Sequence, residues 1–76
     1  MEDQVYTWGR RIRAFRKLKR MTQKELAEAL HVSVSVLGAI ERGDRPASSQ
    51  FMAEVAKTLS VDLDELLADD VIIKEG

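Results

Sequence analysis

Apolar residues recur along the chain at spacings of three and four, and runs that alternate apolar with polar residues are nearly absent. Such spacing places apolar side chains on one face of a helix, and only four Gly and one Pro interrupt it. A chain of 76 residues has room for one small core. The pattern predicts an all-α fold with one domain over residues 1–70 and a C-terminal tail over residues 71–76.

The first helix is predicted to run from Val5 to near Arg20. Its apolar stripe consists of Val5, Trp8, Ile12, Phe15 and Leu18. Four cations at helical spacing form a column on another side: Arg10, Arg13, Lys17 and Arg20. We call these four residues the α1 cation column, and they have two interpretations, a solvated surface or a surface that faces nucleic acid.

Two short helices follow, and each begins at a hydroxyl residue suited to capping. Thr22 precedes the second helix, and Glu25 stands three residues later, as in a capping box. Ser33 can cap the third helix, which Gly43 ends. One face of that helix is predicted to carry Ser33, Val36, Leu37 and Ile40, of which the last three are predicted to be core. Its outward face is predicted to carry Val34, Ser35, Gly38, Ala39 and Arg42.

Two more helices complete the predicted domain. Ser48 caps the fourth, and the fifth begins at about Asp62, where acids suit the positive end of a helix. Their buried positions are predicted to be Met52, Val55, Ala56 and Leu59, then Leu63, Leu66 and Leu67. The tail contains the apolar triplet at 71–73, which is either a frayed end or a segment that docks on the domain or on a second subunit.

The second and third helices, joined by a short turn, have the arrangement of a helix-turn-helix, whose second helix lies in the major groove of DNA. The stretch MTQKELAEALHVSVSVLGAIERGDRPAS resembles the λ-repressor-like (Cro/CI, or XRE) helix-turn-helix family. The family pattern is Thr-Gln-x-Glu-Leu-Ala, then Val-Ser, then Ile/Leu-x-x-Ile-Glu-x-Gly. The resemblance extends from about Trp8 to Leu67 and implies a compact five-helix DNA-binding domain.

The resemblance also implies a DNA-binding set that extends from the second helix to the loop after the third. The set consists of Thr22, Gln23, Lys24, Ser33, Val34, Ser35, Gly38, Ala39, Arg42 and Arg45. Thr22 and Gln23 match positions that contact a DNA phosphate and steady the recognition helix. Val34, Ser35 and Ala39 match positions that meet base edges, whereas the two arginines match backbone contacts.

Other matches to the family concern architecture. Arg16 and Glu41 match an ion pair that bridges the first and third helices, and such a pair orients helices without adding much net stability. Gly38 matches a position close to the DNA surface, where it is expected to let the helix backbone approach. Relatives commonly have Gly where this chain has Arg20 and His31, because a left-handed residue is cheapest as Gly.

The third helix lacks a Gln, Asn or Arg placed for bidentate base contacts, each of which discriminates bases by about 1–3 kcal/mol. A Ser hydroxyl and Val and Ala methyl groups remain, and these suit contacts with the methyl group of thymine. We therefore expect strong dependence on phosphate contacts and DNA shape, with direct readout biased towards thymine.

The charged residues are unevenly distributed, although the net charge is only −1. Residues 1–24 contain eight Lys or Arg and two acids, whereas residues 44–76 contain three Lys or Arg and eight acids. A basic stripe attracts nucleic acid even on a nearly neutral protein. The N-terminal third is therefore the candidate partner-facing part.

Several classes of function are disfavoured by composition. The chain has no Cys and one His, which leaves neither a metal site nor a catalytic constellation to build, so we expect no enzyme, metal or cofactor. No apolar run approaches the roughly 18 residues of a membrane span, and the start, MEDQVYTW, has acids where a secretory signal has positive charge. The expectation is a cytoplasmic protein with no membrane partner.

The leading prediction is a sequence-specific DNA-binding transcriptional repressor that binds double-stranded DNA as a homodimer, since one helix reads too few bases to be selective. The alternative is an antitoxin-like or other protein-interaction module that packs the face of Val34, Gly38 and Ala39 on a protein. Salt distinguishes the two, because counterion release weakens DNA binding steeply with ionic strength and leaves an apolar protein contact nearly unaffected.

Overall fold

The computed structural model describes residues 4–68 and, within that range, contains five α-helices and no strand. The helices are α1 (Gln4–Leu18), α2 (Gln23–Leu30), α3 (Val34–Arg42), α4 (Ser49–Leu59) and α5 (Leu63–Leu67). The all-α, five-helix prediction is confirmed. The predicted domain boundary at residue 70 and the apolar triplet at 71–73 lie outside the described residues. No helix within residues 4–68 is long and apolar enough to cross a lipid bilayer.

The predicted helix starts at Thr22, Ser33 and Ser48 are confirmed. Each hydroxyl oxygen accepts a hydrogen bond from the backbone N–H three residues later, at 3.0–3.1 Å. At α2 the Glu25 carboxylate also accepts from the Thr22 N–H at 2.9 Å, which completes the capping box. These bonds satisfy amides that the first turn of a helix leaves without partners, so short polar side chains determine where α2, α3 and α4 begin.

Several residues just after helix ends have the left-handed backbone conformation, and most of them are not glycine. Arg20, His31 and Ser60 have φ values of 61°, 63° and 59°, and Gly43 has a φ of 85°. Arg20 and His31 therefore have the backbone conformation for which relatives commonly have Gly, as expected from the sequence. Each such non-glycine residue costs about 1–2 kcal/mol relative to an ordinary helical conformation, which the rest of the domain offsets.

The core lies between all five helices, each of which contributes at least one buried apolar side chain. Its buried apolar residues are Ile12, Leu26, Ala27, Leu37, Ile40, Ala47, Met52, Val55, Ala56, Leu59 and Leu66. Every predicted inward residue of α4 is among them. Trp8 and Phe15 pack against this cluster from α1.

Two predicted core positions are wrong. Leu18 is 72% exposed and Leu63 is 37% exposed. Leu18 lies two successive three-residue steps beyond Ile12, and each such step turns the position about 60° away from the stripe. Leu63 is the first residue of α5, where the helix has only begun to lie on the core.

Gly9 allows α1 and α3 to cross in backbone contact, a feature that the sequence pattern did not predict. A Cβ built at Gly9 would overlap the carbonyl oxygen of Ile40 and would lie 3.1 Å from the Cα of Glu41. The crossing therefore requires a residue without a side chain. It places the last turn of α3 directly against the first half of α1.

Arg11 joins α1 to the end of α5. Its Nε donates to the carbonyl oxygen of Leu66 at 2.9 Å and its Nη2 to that of Glu65 at 2.7 Å. The guanidinium also lies over the Phe15 ring, 5.6 Å from the centroid. Arg11 thus satisfies carbonyl groups that the end of a short helix leaves exposed.

Candidate nucleic-acid interface

The α2 and α3 helices are joined by the short turn that the sequence predicts. The N–H of Val32 donates to the carbonyl oxygen of Ala27 at 3.0 Å, which closes the end of α2 on itself. Leu37 and Ile40 then fix the inner face of α3, since both are buried in the core. The outer face of α3 is therefore directed to solvent, and it lies beside the start of α2.

The predicted ion pair between Arg16 and Glu41 is present and buried. The Nε of Arg16 donates to Oε2 of Glu41 at 2.7 Å, and Nη2 donates to Oε1 at 3.0 Å. The two side chains are 9% and 1% exposed, respectively. Nη1 of Arg16 also donates to the carbonyl oxygen of Met21 at 2.8 Å. This two-bond geometry holds α3 in one orientation against α1.

The Glu41 carboxylate also accepts a hydrogen bond from α2. Nε2 of Gln23 donates to Oε1 of Glu41 at 3.0 Å. A single buried side chain therefore joins α1 through Arg16, α2 through Gln23 and its own helix, α3. The steadying role that the family resemblance implies for Gln23 has this hydrogen bond as its geometric basis, whereas the phosphate contact stays a prediction.

Gly38 is buried, which differs from the expectation of an open backbone on the outward face. An ideal Cβ at Gly38 would lie 3.3 Å from Nη1 of Arg42 and 3.6 Å from Oε1 of Gln23. The side chains of Gln23 and Arg42 therefore lie over this glycine, because Gln23 is directed towards Glu41. DNA can approach the Gly38 backbone only if these two side chains move.

Most other members of the predicted DNA-binding set are exposed. Exposed members are Thr22, Lys24, Ser33, Val34, Ser35, Arg42 and Arg45, and half-buried members are Gln23 and Ala39. Val34 is 42% exposed, an unusual position for a large apolar side chain. The outward face of α3 is thus accessible at Val34, Ser35 and Arg42, whereas Gly38 is buried and Ala39 half-buried, and its contacts with bases stay a prediction.

The loop after α3 is held close to the end of that helix. The N–H groups of Asp44 and Arg45 both donate to the carbonyl oxygen of Ala39, at 2.8 and 3.3 Å. The Arg42 Nε donates to Oδ2 of Asp44 at 3.1 Å, and both side chains are 65% exposed. This exposed pair is weak, so Arg42 is free to exchange Asp44 for another anion.

The α1 cation column is exposed along its length. None of its four residues forms an ion pair with a carboxylate of residues 4–68. Arg10 is the member that lies beside Glu41, Arg42 and Gly43. The column therefore begins with an exposed cation at the end of α3.

A helix-turn-helix family model matches residues 12–66, most of the chain. The chain belongs to the helix-turn-helix family. Members of this family are DNA-binding regulators of transcription, and the α2 and α3 helices described above are the helix-turn-helix unit itself.

Curated relatives of this helix-turn-helix protein agree with that assignment. The chain is 56% identical over 66 residues to the uncharacterised HTH-type transcriptional regulator YazB of Bacillus subtilis, and the match covers 87% of this chain and 93% of YazB. It is 36% identical over 69 residues to the immunity repressor protein of Bacillus phage phi105. That match covers 91% of this chain but only 48% of the phage repressor.

Solved helix-turn-helix structures share the fold. The clp gene regulator ClgR from Corynebacterium glutamicum superposes with a TM-score of 0.80 at 34% identity, over 88% of this chain and 87% of ClgR. The restriction-modification controller protein C.AhdI from Aeromonas hydrophila superposes with a TM-score of 0.74 at 33% identity, over 84% of this chain and 91% of C.AhdI. The λ-repressor-like fold predicted from the sequence is therefore confirmed.

Sequence reasoning missed two features that position this helix-turn-helix. Gly9 sets how closely α1 approaches α3, and its only signal is a glycine inside an otherwise regular helical pattern. The position of Arg10 beside Arg42 was also missed, because it depends on how the two helices cross. Helical spacing fixes which residues share a face but leaves the angle between helices open.

Proposed function

We propose that the protein is a sequence-specific transcriptional repressor that inserts helix 33–42 into the major groove of double-stranded DNA as a homodimer. The observation that carries the proposal is the Glu41 carboxylate, which locks α3 to α1 and α2. A helix held from two sides keeps its outward face in one orientation. Such preorganisation favours DNA reading, because the helix does not have to be ordered when it binds.

The roles of the side chains follow from their positions. Thr22 and Lys24, at the exposed start of α2, bind DNA phosphate, and Gln23 steadies α3 through Glu41. Val34, Ser35 and Ala39 face the bases, while Ser33 caps the helix at the groove edge. Arg42 and Arg45 bind the backbone beyond the groove. Phosphate contacts supply most of the affinity, and methyl groups and DNA shape supply the discrimination.

A homodimer is favoured because the domain presents a single recognition helix, α3. Successive major grooves on one side of DNA are about 34 Å apart. One domain inserts its helix into one groove, whereas two copies related by a two-fold axis insert theirs into two. The similarity to a phage immunity repressor favours repression as the outcome of binding.

The protein is proposed to act without catalysis, metal or cofactor, by occupying its DNA site. A bacterial regulator of this kind works in the cytoplasm, where the DNA is, and has no membrane partner. The relatives support the bacterial setting, since YazB is a Bacillus protein and ClgR and C.AhdI also come from bacteria.

Selection of bound duplexes from a random pool tests the function directly. We expect enrichment of two inverted half-sites whose centres lie one helical turn apart, about 10 base pairs. Absence of any enriched sequence would contradict the proposal and would favour the alternative, a protein-interaction module that uses the same face of α3.

The selected duplex then tests how bases are read. We expect uracil substituted for thymine at the half-sites to weaken binding, because the substitution removes only the C5 methyl group that Val34 and Ala39 would contact. The same substitution outside the half-sites serves as the control. Undiminished affinity after substitution within the half-sites would contradict readout through methyl groups.

A further inference from the structure

A small cleft lies between the first turns of α1 and the last turn of α3. Its volume is about 190 Å³, and it is lined by Tyr6, Thr7, Arg10, Glu41, Arg42 and Gly43. Among the residues that line the cleft, Arg42 alone belongs to the DNA-binding set predicted from the sequence. Two of its six lining residues are arginines with exposed side chains.

The walls of the cleft are fixed relative to each other. Gly9 holds α1 against the backbone of Ile40 and Glu41, directly beside the cleft. The N–H of Ala47 donates to the carbonyl oxygen of Val5 at 2.8 Å, which ties the loop after α3 to the first turn of α1. The backbones that carry Arg10 and Arg42 therefore keep their relative position when α3 docks on a partner.

The charge of the cleft is positive, although a carboxylate lines it. Both oxygens of Glu41 already accept hydrogen bonds, from Arg16 and Gln23. Arg10 has no carboxylate partner within residues 4–68, and Arg42 has only the exposed contact with Asp44. Arg10 and Arg42 thus bring two positive charges to an opening that an anion can enter, and Tyr6, 44% exposed, also lines it. Nη1 of Arg42 lies over Gly38, so the Arg42 guanidinium turns towards the cleft to reach an anion there.

The position of the cleft along α3 fits the edge of a DNA groove. Arg42 lies seven residues beyond Ser35, which is about 10 Å along a helix axis. The major groove is about 12 Å wide. When the start of α3 lies among the bases, its last residue is at the sugar-phosphate backbone that borders the groove, and α1 is brought there with it.

We propose that this cleft is a binding site for one phosphate of the DNA backbone, held by Arg10 and Arg42 with the Tyr6 hydroxyl as an additional donor. This inference rests on the proposed function. It makes the start of α1 part of the DNA interface and assigns Arg10, the first residue of the α1 cation column, a contact that neither the family resemblance nor the comparisons give it.

The test is the salt dependence of affinity for the duplex selected from the random pool. Each phosphate that a protein neutralises contributes about 0.9 to the slope of log K against log salt concentration. We expect Arg10→Gln to weaken binding and to reduce the magnitude of that slope by about 1, uniformly for selected and scrambled duplexes. Arg10→Lys keeps the positive charge and is expected to retain most of the slope.

Lys57→Gln is the matched control, because it removes one positive charge from an exposed position of α4 that does not line the cleft. Its slope is expected to equal that of the original protein. The inference is overturned if Arg10→Gln leaves the slope unchanged, or if Lys57→Gln reduces it equally. In both cases the original protein still binds its duplex, so the proposed function stands. If the original protein shows no salt-dependent DNA binding, the phosphate site and the proposed function both fail.

Discussion

The Glu41 side chain connects more helices than any other polar side chain described above. Its two oxygens accept three hydrogen bonds, two from Arg16 on α1 and one from Gln23 on α2. A buried charge is costly unless it is paired, and here the pairing is complete. The orientation of the recognition helix therefore depends on a residue that does not face DNA.

Replacing Glu41 with Ala is expected to lower the free energy of unfolding by about 3 kcal/mol, because Arg16 is left buried and unpaired. Urea unfolding measures the change. Asp44→Asn is the control: it breaks the Arg42 pair, which is exposed, and is expected to change stability by less than about 1 kcal/mol. Similar losses in the two variants would contradict the structural role given to Glu41.

The identity of this pair could be predicted from the sequence, because a motif supplied both partners. For Gln23, the sequence predicted only that it steadies the recognition helix. The structure adds that its Nε2 donates a hydrogen bond to Oε1 of Glu41. Gly38 shows the limit of pattern reasoning. Helical spacing places it on the outward face, but the long side chains of Gln23 and Arg42 reach across and cover it.

Among the helical elements, α1 and α3 both contain a glycine, in opposite surroundings. Gly9 faces backbone, which cannot move without separating the helices. Gly38 faces the ends of two flexible side chains at 3.3–3.7 Å from an ideal Cβ. The same substitution should therefore have opposite effects at the two positions.

We expect Gly9→Ala to lower the free energy of unfolding by about 2 kcal/mol or more, since the added methyl group forces α1 away from α3. Gly38→Ala is expected to raise it by about 0.5–1 kcal/mol, because Ala favours the helix and Arg42 can shift. Thermal or urea unfolding of both variants measures this. Equal effects of the same sign would contradict the close crossing at Gly9.

Helix positions could be predicted well because local chemistry sets them. Hydroxyl caps at Thr22, Ser33 and Ser48 start three of the helices, and Gly43 ends α3. Contacts between helices could not be predicted in the same way. The Arg11 hydrogen bonds to α5 join residues more than 50 positions apart, and no local pattern records such a pair.

At the scale of the whole molecule, the basic side of α1 meets the helix-turn-helix at the end of α3. The α1 cation column is exposed, and its first member lies at the end of α3. The acid-rich part of the chain begins after Gly43 and includes α4, which contacts α1 and α2, and α5, which contacts α1 and α4. The net charge of −1 is therefore the sum of a basic part of the chain, which suits DNA, and an acidic part.

The central claim is that the outward face of α3 lies against DNA, and Val34→Glu tests it most directly. Val34 is the first residue of α3 and is exposed, so an acid there suits the helix dipole and is expected to leave stability unchanged or raise it by up to about 1 kcal/mol. The same carboxylate would lie in the major groove of bound DNA, close to base-edge acceptors and between two phosphate backbones, all of which repel it.

The decisive measurement is the affinity of Val34→Glu for the selected duplex, compared with Ala53→Glu, which adds the same charge to an exposed position of α4. We predict that Val34→Glu weakens binding by about 100-fold or more while the protein stays folded, because like charges in contact cost several kcal/mol. Ala53→Glu is predicted to bind nearly as the original protein does. Undiminished binding by a folded Val34→Glu variant would contradict the account.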